Sequence, residues 1–223
     1  MVIRHPEKKY GGLCSHCGRE LARSGMTRHL SSCAKRPKGN AKVLHLVVES
    51  THWNDFWIHV MAPTSATLAD LDAMLRETWL ECCGHLSVFD IGGVRFESRP
   101  MTGGWGPPAK SMRARLNQAV PPGTTFRYEY DYGSTTSLQG RCVRRVDDSI
   151  AVKRPSVVAR NLAPPLMCDA CGKTSASVLD TWGDAGALCT ACLEQEVDAG
   201  GVEEEGVLPV VNSPRMGVCG YTG

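Results

Sequence analysis

The sequence predicts an α+β protein: a central, mostly antiparallel sheet with helices on one side, flanked at both ends by small cysteine-rich modules. Three observations carry this. Several short runs between residues 42 and 146 alternate apolar and polar residues, the two-residue period of half-buried strands. Two other runs repeat at helical spacing instead. Most of the eleven cysteines fall into two clusters, near 14–33 and 168–192, outside the alternating region. The chain has 223 residues, 42% hydrophobic and 22% charged, which suits a mid-sized globular domain with satellites rather than a disordered chain.

The elements follow in order. "KVLHLVVES" (42–50) places Leu44, Leu46 and Val48 on one strand face. "FWIHV" (56–60) places Phe56, Ile58 and Val60 on one face and Trp57 and His59 on the other. The turn "THWND" between them predicts a hairpin. "TLADLDAMLRETWLE" (67–81) is a helix, with Thr67 and Asp70 resembling a capping box and Gly84 suiting the position past its end. "HLSVFDIGGVRFES" (85–98) reads as two strands about a Gly92-Gly93 turn. "PMTGGWGPPAK" (100–110) is a flexible loop, and "SMRARLNQAV" (111–120) a short helix stopped by Pro121-Pro122. "TTFRYEYDYG" (124–133) aligns Phe126, Tyr128, Tyr130 and Tyr132 on one face and pairs with "SLQGRCVRRV" (137–146). The order is β-β-α-β-β-α-β-β. Four segments result: a basic module and linker at 1–40, with "KRPKGN" (35–40) as the linker; the α+β domain at 41–161; a second cysteine module at 162–196, entered through the extended "NLAPPLMC"; and a tail at 197–223.

The first cluster, "CSHCGRELARSGMTRHLSSC", has Cys14 and Cys17 in C-x₂-C spacing and His29 and Cys33 in H-x₃-C spacing, eleven residues apart. A tight knuckle would present the first two thiolates and one helix face the other pair, which is a CCHC variant of the ββα zinc finger. Leu21 and Met26 would fill its core, Ser24 would cap its helix, and His16 is not expected to be a ligand. So small a module needs the metal to fold. The second cluster pairs Cys168/Cys171 with Cys189/Cys192, two C-x₂-C knuckles seventeen residues apart, which predicts a structural Cys₄ zinc ribbon. Two Zn²⁺ per chain are expected, and no small-molecule cofactor is implied.

No run approaches the roughly 18 apolar residues of a membrane span, and "MVIRHPEKKY" lacks the apolar core of a secretion signal. The expectation is a cytoplasmic protein with no membrane association, a reducing setting in which paired cysteines bind metal rather than form disulfides. The net charge of +2 hides an asymmetry: residues 1–42 carry ten Lys/Arg and two Glu, while 43–223 carry 15 basic and 21 acidic residues. Three thiolates on Zn²⁺ add about −1 and four about −2, and the first segment stays positive.

The motifs "DFWIHVMAPTSATLADLDAMLRETW", "HLSVFDIGG" and "FRYEYDYGS" resemble the proteins named after open reading frame three of a root-inducing plasmid (the plasmid pRiA ORF-three-like family), which include insertion-sequence passenger proteins labelled TnpR-like. The likeness covers about residues 43–147, with Ser87 in place of the family's second histidine and Ser134 in place of the acid after its glycine. The ending "LPVVNSPRMGVCGYTG" looks like that of a finger-bearing subgroup. The resemblance implies a β-grasp-like fold and a link to mobile elements; it supplies no activity.

Two binding functions and one catalytic function compete. A nucleic-acid-associated protein would use Arg19, Arg23, Arg28, Lys35 and Arg36 on phosphates of DNA or RNA, with little sequence specificity from one finger. A protein-interaction adaptor would use the zinc modules and the acidic 194–205 stretch. An enzyme would have to be built on His85, Asp131 or Cys219; no nucleophile–base motif is recognised, so catalysis ranks last. Asp131 is expected at a strand-end turn. The Tyr128, Tyr130 and Tyr132 face, with Trp53, Phe56 and Trp57, is expected to pack the sheet, base stacking being the alternative. Cys82 and Cys83 are expected to end the helix, where neighbouring side chains diverge by about 100°. Both therefore cannot readily face one ion, and they are read as packing. A third site would need His85, one of the pair, and Cys219.

Overall fold

The computed structural model describes residues 11–100 and 108–223, without the side chains of 148–150. The expected loop at 100–110 and the basic residues Arg4, Lys8 and Lys9 lie mostly or wholly outside the described residues. The fold is mixed α+β. Among the described residues, ten strands form one sheet and three form a second, smaller one.

The large sheet is built on β3 (Lys38–Ser50) and β4 (Trp57–Pro63), the expected hairpin, paired from Val43↔Pro63 to Glu49↔Trp57. β9 (Thr136–Ile150) lies on the other side of β3 and continues into β8 (Thr125–Tyr130), β5 (Ser87–Ile91), β6 (Val94–Glu97) and the short parallel β7 (Lys110–Ser111). The expected turn joins β5 to β6, with both glycines at positive φ (59° and 80°). On the far side of β4 comes β10 (Ser156–Asn161), then the knuckle strands β1 (Gly12–Cys14) and β2 (Glu20–Leu21). The sequence signals no strand at β10, because a register shift between Val157 and Ala159 breaks its alternation.

Two apolar layers cover the two faces. On one, Leu44, Leu46, Val48, Ile58 and Val60 pack against α2 (Leu68–Leu75) and α3 (Leu116–Ala119), the side on which helices are expected. On the other, Val43, Trp57, Met61, Val146 and Val158 pack under α1 (Arg23–Ser32) through Met26 and Leu30. Helices therefore lie on both faces, and β3 and β4 are buried front and back. The "KRPKGN" linker is half strand: β3 begins at Lys38.

The capping box of α2 forms as expected: Thr67 Oγ1 accepts from the Asp70 N–H, and Asp70 accepts from the Thr67 N–H. The helix then widens. Its last turn, Arg76–Leu80, is a π-helix closed by Glu81 N–H donating to the Arg76 carbonyl. Thr78 Oγ1 donates to the Met74 carbonyl, drawing that acceptor away from regular helical pairing. Beneath, Asp72 is buried and accepts from Arg76 Nε (2.7 Å), Ser87 Oγ (2.6 Å) and Tyr128 Oη (2.7 Å), tying helix, β5 and β8 together. Phe126, Tyr128 and Tyr130 are buried, as the packing reading expects; Tyr132 lies past the strand end and is exposed.

The small sheet orders β12 (Ala187–Leu188), β11 (Val178–Asp180) and β13 (Val207–Pro209), with α4 (Thr190–Asp198) beside it. The tail returns across the main sheet. Asn212 exchanges hydrogen bonds with Asn161, Ser213 Oγ donates to the Trp79 carbonyl, and Arg215 is fully buried.

Candidate metal centres

Both predicted ligand sets converge. Cys14, Cys17, His29 and Cys33 offer ligand atoms all within 4.8 Å of one another, and so do Cys168, Cys171, Cys189 and Cys192. In the first set, β1 and β2 carry the knuckle, closed by Gly18 N–H donating to the Cys14 carbonyl (2.8 Å). Gly18 sits at φ 72°, a conformation that disfavours other residues. His29 is in the last turn of α1, with Cys33 as its C-cap residue. His29 Nε2 lies 3.3 Å from Cys17 Sγ. The Arg19 amide pointing at Cys17 lowers that thiol below its ordinary value. Ser24 is not the cap; Ala22 occupies that place, one residue before the helix begins at Arg23, and Ser24 falls in the first turn. Leu30, fully buried beside Met26, is a core residue that the spacing alone does not pick out.

In the second set, Cys168 and Cys171 form a knuckle of the same kind. Gly172 N–H donates to the Cys168 carbonyl, and the Gly172 φ is 63°. The backbone amide of Lys173, then Thr174, draws the Cys171 thiol down to about 5. The other pair is not a second hairpin knuckle. Cys189 is the N-cap residue of α4 and Cys192 lies in its first turn, because Thr190–Asp198 carries the helical pattern. All four positions in each set are protein side chains, and the donors suit Zn²⁺ in a closed, structural site.

The positive residues divide. Arg19, Arg28 and Lys35 are exposed and Arg36 is partly so. Arg23 turns inward and pairs with Glu49 of β3. Its side chain lines a cleft of about 710 Å³ between α1 and the sheet, with Trp57, His59 and Arg141. On that face, His45 and His59 are buried and bonded to each other (Nε2 to Nδ1, 2.9 Å). Burial, with Arg144 and Arg141 nearby, lowers His45 to about 4. Burial, then His45, Arg23 and Arg141, lowers His59 to about 3.

Contrary to expectation, Cys82 and Cys83 lie beyond the helix end. The helix stops at Leu80, and Glu81 is already extended (φ −68°, ψ 120°), so the divergence of neighbouring helical side chains does not apply. Cys82, Cys83, His85 and Cys219 bring ligand atoms within 4.8 Å of one another. Asp131 does make the expected strand-end turn, at φ 67° with Gly133 N–H donating to its carboxylate. It also pairs with buried Arg215 (2.8 Å) and faces His85 Nδ1 at 3.6 Å. One signal for this grouping lies in the sequence. Cys83-Gly84 and Cys219-Gly220 repeat the Cys17-Gly18 and Cys171-Gly172 steps of the two predicted knuckles.

The chain matches no protein-family model and no curated protein. Among solved structures it is similar to a protein of unknown function from Methanosarcina mazei Go1, at 21% identity and a TM-score of 0.48, over 54% of this chain and 70% of that one. Among the described residues no helix is long and apolar enough to cross a membrane.

Proposed function

We propose that this is a zinc-bearing, nucleic-acid-associated binding protein whose contact surface is the basic finger at Cys14–Cys33. The observation that carries the reading is the exposure of Arg19, Arg28 and Lys35 on a module whose Cys/His set suits zinc. Counting Arg23 as the first helical residue, the groove-reading positions −1, 3 and 6 of a ββα finger fall on Ala22, Gly25 and Arg28. Only Arg28 can hydrogen-bond a base edge, so binding is dominated by phosphates and has little sequence preference. The β-grasp description of 41–161, the likeness to the plasmid ORF-three-like proteins, the mobile-element link and a cytoplasmic location belong to the same reading. Filter binding of the full chain to short DNA and RNA duplexes and single strands tests it. Changing Arg19, Arg28 and Lys35 together to Gln removes the base-edge contact of Arg28 and the phosphate contacts of Arg19 and Lys35, and losing those two phosphate contacts flattens the log K against log salt slope on B-DNA by about 1.8. Arg23→Gln weakens binding less, because Arg23 is already paired with Glu49. No retention of any of these nucleic acids at low salt sinks the proposal.

A protein partner is the second reading, favoured by the other zinc-suited module. Trp182 is 67% exposed there, and Leu193, Val197 and Val207 line a groove rimmed by Glu194, Asp198 and Glu204. A basic, apolar peptide fits that surface, and Trp182→Ala abolishing a nuclease-resistant pull-down is its test.

A further inference from the structure

We propose that Cys82, Cys83, His85 and Cys219 hold a third zinc ion, which clasps the C-terminal tail to the corner between the π-turn and β5. The donor set is three thiols and one imidazole, the same composition as the finger set. The geometry matches too: His85 Nε2 lies 3.4 Å from Cys219 Sγ, against 3.3 Å for His29 Nε2 and Cys17 Sγ.

What surrounds the four residues is what a histidine–thiolate metal centre requires. With Nε2 turned to the thiols, His85 Nδ1 faces Asp131, and a carboxylate on the second ring nitrogen fixes the tautomer and orients the ring. Asp131 is held by Arg215, whose Nη2 also lies 3.4 Å from Cys82 Sγ. The fully buried guanidinium thus bridges a carboxylate and a thiol, and so offsets part of the negative charge that Asp131 and a three-thiolate zinc centre bring together. Tyr130 lies on the inner side of the set, whose Cys83 and Cys219 are exposed: its Oη accepts from the His85 N–H (3.3 Å), and its ring lies edge-on to the imidazole and beneath the Arg215 guanidinium (4.8 Å).

The backbone agrees. Gly84 and Gly220 follow Cys83 and Cys219 at φ 72° and 66°, matching Gly18 (72°) and Gly172 (63°) behind the finger and ribbon thiols. Added Cβ atoms at these four glycines would meet nothing within 4 Å, so the glycines serve backbone conformation rather than close packing. Cys219 itself takes φ 52°, a strained conformation for a side-chain-bearing residue that its partners must hold.

Four protein ligands leave no open position, so the ion is structural. It ties His85 to Cys219 across 134 residues of chain. Metal analysis of the full chain, purified under reducing conditions with zinc, tests the assignment. The expected content is three zinc ions per chain in the wild type, two in Cys219→Ser, two in His85→Ala, and three again in His85→Cys, which restores a fourth ligand. Hydrogen exchange of the 213–221 amides should speed up in Cys219→Ser while the β3 and β9 amides keep their protection, separating loss of the clasp from unfolding. A wild-type content of two with the Cys14 and Cys168 sets occupied, an unchanged count in Cys219→Ser, or a disulfide-linked Cys83–Cys219 peptide in the reduced preparation would overturn it. Finger-mediated nucleic-acid binding is a separate measurement and need not change in any of these variants.

Discussion

Gly12→Ala separates a finger integrated into the sheet from one tethered to it. Gly12 lies in β1, opposite Asn161 of β10, with Trp57 of β4 beneath it. A Cβ at this position would sit 2.4 Å from the Arg160 carbonyl oxygen and 2.4 Å from the Trp57 ring. Both neighbours are fixed, one by the β-ladder and the other by burial to 1% exposure. The methyl therefore drives β1 away from β10 and opens the apolar layer shared by Met26, Leu30, Trp57 and Val158. Overpacking of this kind costs about 1–3 kcal/mol. For a chain of this size each kcal/mol lowers Tm by about 2–4 °C, so the drop is about 2–12 °C, towards the upper end because one clash is with backbone. Removing the ring with Trp57→Ala does not rescue the variant, since the carbonyl clash remains. Differential scanning calorimetry on the zinc-loaded protein reads the shift of the main transition. An unchanged main transition, with any loss confined to a separate small one, would instead make the finger an independent module.

Two further outcomes follow from buried polar groups. Asp72→Ala leaves the hydroxyls of Ser87 and Tyr128 and the Arg76 guanidinium short of an acceptor beneath α2, and should destabilise the fold by about 3–5 kcal/mol in urea unfolding, whereas Asp72→Asn, which keeps one acceptor, should cost less. The His45–His59 pair makes stability pH-dependent: both groups are held neutral in the fold, at about 4 and about 3 against an ordinary 6.5, so the unfolded chain takes up more protons below 6.5. Their contribution is complete above pH 6.5 and is lost as pH falls towards 3, with His45 alone accounting for roughly 3 kcal/mol across its window. Replacing both with Leu should flatten the stability profile between pH 6.5 and 5; an unchanged profile would assign the acid sensitivity to other groups.

Much of the central sheet is legible in the sequence because its signals are local. The β3–β4 hairpin, the Gly92-Gly93 turn and the capping box of α2 each rest on residues a few positions apart. The two predicted ligand sets are legible for the same reason, their pairs being spaced C-x₂-C or H-x₃-C. What escapes the sequence is non-local or irregular. β10 is hidden by its bulge, and the use of both faces of β3 and β4 depends on α1 folding back onto them. The Cys82–Cys83–His85–Cys219 grouping depends on two such features together: a π-turn that ends the helix before Cys82, and a tail that returns 134 residues later. Arg23 shows the same limit on the basic face, since Glu49, which captures it, lies on another element.

An anomalous-difference map of the crystallised full chain at the zinc absorption edge decides whether the Cys/His clusters are metal centres. Metal occupancy gives a peak equidistant from Cys14, Cys17, His29 and Cys33 and another within Cys168, Cys171, Cys189 and Cys192, with a third among Cys82, Cys83, His85 and Cys219. A map from zinc-replete, reduced protein without density at the first two positions would show that these clusters are not metal centres.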